Sequence, residues 1–186
     1  MSGHVRIHRQ QIVREVEGYL ELIELFPGEM NVQPVNRERI ARRSLKMLER
    51  VEGGSDHLQV LYLKGLALRA LERYAEAVLV LREATQLDNQ NIHIWLMLGW
   101  CYKRTGRIDL AIESLEEALA VDPAEAILHY NLACYWSLAG NCRRAVTCLS
   151  HALQIDPNYR DLIDAEHDFD PIRNNPDFQA ATSAIA

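Results

Sequence analysis

Seven histidines, four cysteines and 26 carboxylates give this 186-residue chain the raw material for a metal site, a thiol nucleophile or an acid–base pair. His4 and His8 are four apart, a spacing that puts two imidazoles on one helix face. They lie close to the start of the chain, and no metal site is predicted from them. Cys142 and Cys148 are six apart without a second ligand pair, which is not zinc spacing. Cys101, Cys134 and Cys148 read as small apolar fillers; a regulatory Cys101–Cys134 disulfide is the alternative. His129, Tyr130, Asn131 and Cys134 form the best local cluster for nucleophilic catalysis. Cys134 and His129 lie five apart, however, and so project from different helix faces. There is no phosphate-binding glycine loop, no GxSxG and no HExxH. The prediction is no catalytic residue, no metal and no cofactor. Arg39, Arg42, Arg43, Lys46 and Arg50 make a basic band on one helix, diluted by Glu38 and Glu49. It reads as a solvated face rather than a phosphate site.

The elements that carry these residues repeat. At a fixed step of 34, Leu61, Trp95 and His129 align, as do Gly65, Gly99 and Ala133, then Leu68, Tyr102 and Trp136. Further on come Ala77, Ala111 and Ala145; Leu81, Leu115 and Leu149; Ala84, Ala118 and Ala152; Asp88, Asp122 and Asp156. The units 58–91, 92–125 and 126–159 follow one another without a gap. Each reads as two helices. In 92–125, Trp95, Leu98, Gly99 and Tyr102 share one face, Thr105-Gly106 breaks the helix, and Ile108, Ala111, Ile112, Leu115, Ala118 and Leu119 form a second stripe. Small residues on these stripes let helix backbones approach closely. Asp122-Pro123, with Glu125 as a capping-box acid, is expected to start the next helix, and Asp156-Pro157 to repeat the device. No strand-like alternation occurs.

On the flanks, helices are expected over 8–25 and 37–51, the second capped by Asn36, with the long FPGEMNVQP connection between them. A further major helix is expected over 158–166 and a short last one over about 176–183, after Asn175-Pro176. Phe169, Ile172 and Phe178 are the expected plugs of the final apolar face. Asp156, Asp161, Asp164, Glu166, Asp168, Asp170 and Asp177 are the expected polar exterior.

These columns resemble the tetratricopeptide repeat (TPR). WLMLGWCY…G…A…L…A…DP in the second unit is a close match, and HYNLACYW…G…A…L…A…DP in the third departs only at His129. The first unit is weakest: Lys64 stands where Leu98 and Leu132 stand, no Gly separates its helices, and Asn89 replaces the Pro. The resemblance implies an all-α fold, a right-handed superhelical α-solenoid of antiparallel helix pairs. One solenoid domain is expected over 1–186. It comprises a degenerate TPR-like hairpin at 8–57 (or an unrelated capping hairpin), three repeats, and capping helices in 160–186.

The resemblance also implies that a second stripe on the first helix of each unit faces a concave, partner-binding side. Here that stripe is Gln59, Tyr62, Leu66 and Arg69; His93, Leu96, Trp100, Lys103 and Arg104; and Ile127, Tyr130, Cys134 and Ser137. Tyr and Trp beside Arg is the composition of interface anchors. The expected function is a non-catalytic interaction scaffold or adaptor that holds a partner peptide or helix with apolar and acidic residues. Filling of the groove by the chain itself is the competing reading. Family members that clamp the carboxylate of heat-shock chaperones use Lys and Asn on this stripe. Tyr62, Leu66, Leu96, Trp100, Tyr130 and Cys134 stand there instead, so no such co-chaperone is expected. The alternatives are self-association, as a homodimer through groove and N-terminal arm, and remotely an enzyme accessory or thiol-dependent enzyme.

Charge limits the partners. The net −6 argues against generic nucleic-acid binding. It lies wholly in the second half: residues 1–57 carry 9 bases and 9 acids and 58–91 carry 4 and 4, against 3 and 6 in 92–125 and 4 and 7 in 126–186. No apolar run approaches the roughly 18 residues of a membrane span, and the charged start lacks a signal-peptide apolar region. Four sparse cysteines read as reduced thiols. A cytoplasmic, bacterial protein with no membrane partner is expected.

Overall fold

The computed structural model describes residues 3–25, 34–51 and 56–183, and among these there is no strand. The chain divides into two compact units, 1–89 and 90–186.

The first unit holds α1 (Gly3–Leu25), α2 (Pro34–Leu48), α3 (His57–Ala70) and α4 (Tyr74–Leu87), with a 3-10 turn at Glu49–Val51. α1 and α2 pack on each other and both pack on α3, which pairs with α4. Val16, Leu20, Ile23, Ala41, Leu48, Val60, Leu63 and Ala67 close this core. α2 starts three residues before the expected position. Pro34 suits a first turn, where no backbone N–H is needed, so Asn36 lies inside the helix rather than capping it. The connection at 26–33 lies outside the described residues.

The second unit holds α5 (Ile92–Arg104), α6 (Ile108–Val121), α7 (Ala126–Leu138) and α8 (Cys142–Ile155), then α9 (Arg160–Ile163) and α10 (Pro176–Ser183). α5 pairs with α6 and α7 with α8, while α6 packs on α7 and α10 on α8.

The 34-residue step is reproduced bond by bond. Arg73, Arg107 and Asn141 each donate a backbone N–H back across the turn, to Leu68, Tyr102 and Trp136, all at 2.9 Å. Asp88, Asp122 and Asp156 each donate to Ala84, Ala118 and Ala152, at 3.0, 3.0 and 2.8 Å. The small–large–small stripe is fully used: Ala77, Leu81, Ala84, Ala111, Leu115, Ala118, Ala145, Leu149 and Ala152 are all buried. Close approach requires the glycines. A Cβ on Gly65 would stand 2.7 Å from the Leu81 side chain, and one on Gly99 would stand 3.2 Å from the Ala111 carbonyl. The turn residue is left-handed at Gly106 (φ 75°) and Gly140 (φ 73°), and Glu72 takes the same conformation (φ 57°) in the unit that lacks a glycine.

Two expected helix starts are corrected. Asp122 does not cap α7. Its carboxylate accepts the Ala124 N–H at 3.0 Å in a local turn, and Glu125 caps α7 from Ile127. The expected helix over 158–166 is broken: Pro157–Tyr159 is 3-10, α9 is a single turn, and a second 3-10 turn at His167–Phe169 is capped by Glu166. The last helix falls at Pro176–Ser183, with the Asn175 side chain accepting the Asp177 N–H at 2.9 Å. Phe169, Ile172 and Phe178 are buried, the first completely.

Candidate partner-binding surface

α5 presents two faces because its sequence alternates them at helical spacing. Ile94, Met97, Leu98 and Cys101 are buried. His93, Leu96, Trp100, Lys103 and Arg104 lie on another face, His93 and Arg104 exposed and the other three half-buried. Asn91 starts the helix by accepting the His93 N–H at 3.1 Å. Leu96 rests against the core of the second unit. The Arg104 guanidinium sits 5.7 Å from the Trp100 ring centroid, a cation–π distance. Lys103 and Arg104 close the last turn, where the helix dipole favours cations.

α3 carries the matching stripe in the first unit. Tyr62, Leu66 and Arg69 are half-buried and Gln59 is exposed. Leu66 packs against that unit's core. The Gln59 side-chain amide donates to Glu17 of α1 at 3.3 Å, so α1 runs alongside this face.

On α7 the structure places the stripe differently. Ile127 is exposed, but Tyr130, Cys134 and Ser137 are 5%, 1% and 0% exposed. The covering material is the chain's own C-terminal segment. Tyr159 stacks on Tyr130 at 4.8 Å between centroids, and Phe169 meets Tyr130 edge-on at 5.8 Å. Phe178 backs Phe169 at 5.3 Å. Of the thirteen stripe positions, Tyr130 and Cys134 are thus inside the second unit's core, and Ser137 is buried as well.

Lys103 belongs to the same arrangement. Its ammonium donates to Asp168 at 2.5 Å and lies 5.7 Å from the Tyr135 ring. Asp168 and Glu166, expected on the exterior, are half-buried. Glu166 accepts the Asp168 N–H at 3.0 Å. Spacing could not show this pairing, because Lys103 and Asp168 are 65 residues apart; the signal present was an acidic residue beside a predicted plug, Phe169.

Cys134, Glu166 and Asp168 place their ligand atoms within 4.8 Å of one another. The cation beside Asp168 is Lys103. Burial, then the charges of Glu166 and Asp168, push the Cys134 thiol well above its ordinary range, so the sulfur is held protonated. That is the opposite of a nucleophile or a ready metal ligand. His129 is engaged elsewhere: its Nε2 bonds the Pro123 carbonyl at 2.9 Å and its ring packs edge-on against His151 at 5.4 Å. No disulfide joins Cys101 and Cys134. The His4 side chain lies outside the described residues. In the basic band, Arg42 pairs with Glu38 at 2.6 Å and Arg43 with Glu15 at 3.4 Å.

Two tetratricopeptide-repeat family models match, over residues 36–92 and 68–133. Together they span more than half of the chain, which belongs to the tetratricopeptide-repeat proteins. No curated protein matches it. Among solved structures, it is similar to the Yersinia enterocolitica type III secretion chaperone SycD in complex with a peptide of the translocator YopD. The identity there is 23%, with 71% of this chain and 94% of that chain covered and a TM-score of 0.57. It is also similar to the MamA RS-1 ArsTM double mutant, at 19% identity, 82% and 93% coverage and a TM-score of 0.60. MamA AMB-1 follows at 21% identity, 81% and 97% coverage and a TM-score of 0.59. At these identities the likeness is one of fold: an all-α, TPR-like helical solenoid. No helix among the described residues is long and apolar enough to cross a membrane.

Proposed function

We propose that this protein is a non-catalytic binding module that holds a partner polypeptide segment carrying apolar anchors and acidic residues. The observation that carries this reading is the α5 face. It combines a half-buried Trp100 and Leu96 with the Arg104 guanidinium beside the indole at the end of the helix. Such a surface gives a ligand aromatic contact area and an orienting charge together. In the first unit, Gln59, Tyr62, Leu66 and Arg69 offer the same composition on α3. Ile127 is the α7 position left exposed. The peptide-bound SycD neighbour supports the mode of binding. The buried, protonated Cys134 supports the absence of thiol chemistry. A cytoplasmic location is part of the proposal, supported by four sparse cysteines that form no disulfide.

Random-peptide display against the full chain tests the reading. The expected enrichment is for Phe, Tyr, Trp or Leu flanked by Asp or Glu. Selection of basic or uniformly polar peptides contradicts it. Self-association is the second reading, favoured by a SycD neighbour described as an alternative dimer. Sedimentation over a concentration range decides it: a monomer throughout removes it.

A further inference from the structure

The third repeat's inner face is already occupied by a segment of the chemistry proposed for the partner. Lys103 of α5 receives a carboxylate from Asp168, and Tyr130 of α7 receives an aromatic ring from the next residue, Phe169. Tyr159 adds a second ring on Tyr130. An acid followed by an aromatic therefore sits on a cation followed by aromatic floor.

Two features mark this as an occupant rather than as a helix of the array. First, the segment that supplies it is assembled from single turns: Pro157–Tyr159, Arg160–Ile163 and His167–Phe169, none longer than four residues. Such pieces lack the cooperative hydrogen bonding of the thirteen- and fourteen-residue helices beneath them. Arg173 holds the segment to itself, donating to the carbonyls of Ile163 at 3.3 Å and Glu166 at 2.8 Å. These bonds keep the segment's shape from within. Second, the fit is incomplete. The Tyr130 hydroxyl is buried with no hydrogen-bond partner among the described residues. A buried unpaired hydroxyl is costly, and a ligand able to pair it gains over the present occupant.

We propose that Lys103, Tyr130 and Tyr135 form a recognition site for an acid–aromatic peptide segment, and that residues 166–169 (Glu-His-Asp-Phe) hold this site in cis until a partner segment of the same kind displaces them. This rests on the proposed function and specifies its partner chemistry: a carboxylate directly before an aromatic residue, with a polar group in reach of the Tyr130 hydroxyl. The apparent affinity for such a partner is reduced by the fraction of molecules in which the site is closed. Weakening the in-chain ligand should thus strengthen partner binding.

The test uses the full chain and a labelled synthetic peptide of residues 164–174, with binding read by anisotropy. Asp168→Asn removes the carboxylate charge but leaves Phe169 in place, so the fold is retained; circular dichroism checks this. It is expected to bind the peptide about tenfold more tightly than wild type. Lys103→Met in the Asp168→Asn background is expected to abolish that gain. A second measurement covers the case of unexpected unfolding. In wild type, excess peptide should speed hydrogen exchange at residues 166–173 while leaving α8 unchanged. Equal affinity of wild type and Asp168→Asn, or unchanged exchange at 166–173, overturns the proposal. If displayed peptides still bind through Trp100 in that event, the binding function stands and only the in-chain ligand falls.

Discussion

At the residue scale, environment decides what the reactive groups do. Cys134 and Cys101 are both buried, and Cys134 is held protonated by burial and by the neighbouring acids. Native protein at pH 8 should therefore leave both thiols unmodified by a disulfide reagent, while half-exposed Cys142 reacts first; all four should react in denaturant. Rapid native modification of Cys134 would contradict the assignment. Asp170 tests the C-terminal segment. Hydrogen bonds from Arg173 and then His167 hold its carboxyl below the ordinary value. Its contribution is present above the unfolded value near about 4 and is lost as pH falls through the lower folded value. Urea melts should show wild type losing stability below about pH 4 more steeply than Asp170→Asn. Parallel loss in both proteins contradicts this role. The sequence marked the titratable residues but not their partners. Lys103 and Asp168, 65 residues apart, share no periodic relation that a stripe could reveal.

At the element scale, the repeats were the most legible part of the molecule. Columns of Ala, Leu, Ala and Asp at a step of 34 correspond to buried stripe positions and to a recurring Asp-to-Ala backbone bond. What escaped is where local polar chemistry competes with helix propensity. Asp122 spends its carboxylate on a turn, which shifts the start of α7 to follow Glu125. In place of the single helix expected over 158–166 stand short pieces, Pro157–Tyr159 and Arg160–Ile163, with a further turn at His167–Phe169 capped by Glu166. The first repeat's missing glycine is also explained. Its turn forms as in the others, with Glu72 carrying the left-handed strain that Gly106 and Gly140 avoid. Left-handed conformation costs a non-glycine residue roughly 1–2 kcal/mol, partly offset by the greater unfolded freedom of glycine. Glu72→Gly should stabilise the protein by about 0.5–1 kcal/mol in urea denaturation, whereas a destabilised variant would show that the side chain contributes contacts larger than the strain.

At the scale of the whole molecule, the net −6 does not describe the surface a ligand meets. Some acids of the second half are paired within it, Asp168 with Lys103 and Asp170 with Arg173. Arg104 of α5 stands beside half-buried Trp100. Net charge does not give the sign of the local field. The family was legible from the sequence because repeat geometry is periodic. The partner was not, because a stripe residue's fate depends on what folds over it. Tyr130 is covered by Tyr159 and Phe169, whereas Trp100 stays half-exposed on a helix of the same type. If the α5 face binds an apolar and acidic segment as proposed, Trp100 on that face can be truncated without loss of the fold. The most direct measurement is an anisotropy titration of a display-enriched peptide against wild type, Leu96→Ala and Trp100→Ala, each with its far-ultraviolet circular dichroism spectrum. The predicted result is affinity at least about tenfold weaker for Trp100→Ala, the size of a hot-spot truncation, a smaller loss for Leu96→Ala, and unchanged helicity in both. Unchanged affinity in both variants, or loss of affinity accompanied by loss of helicity, would contradict it.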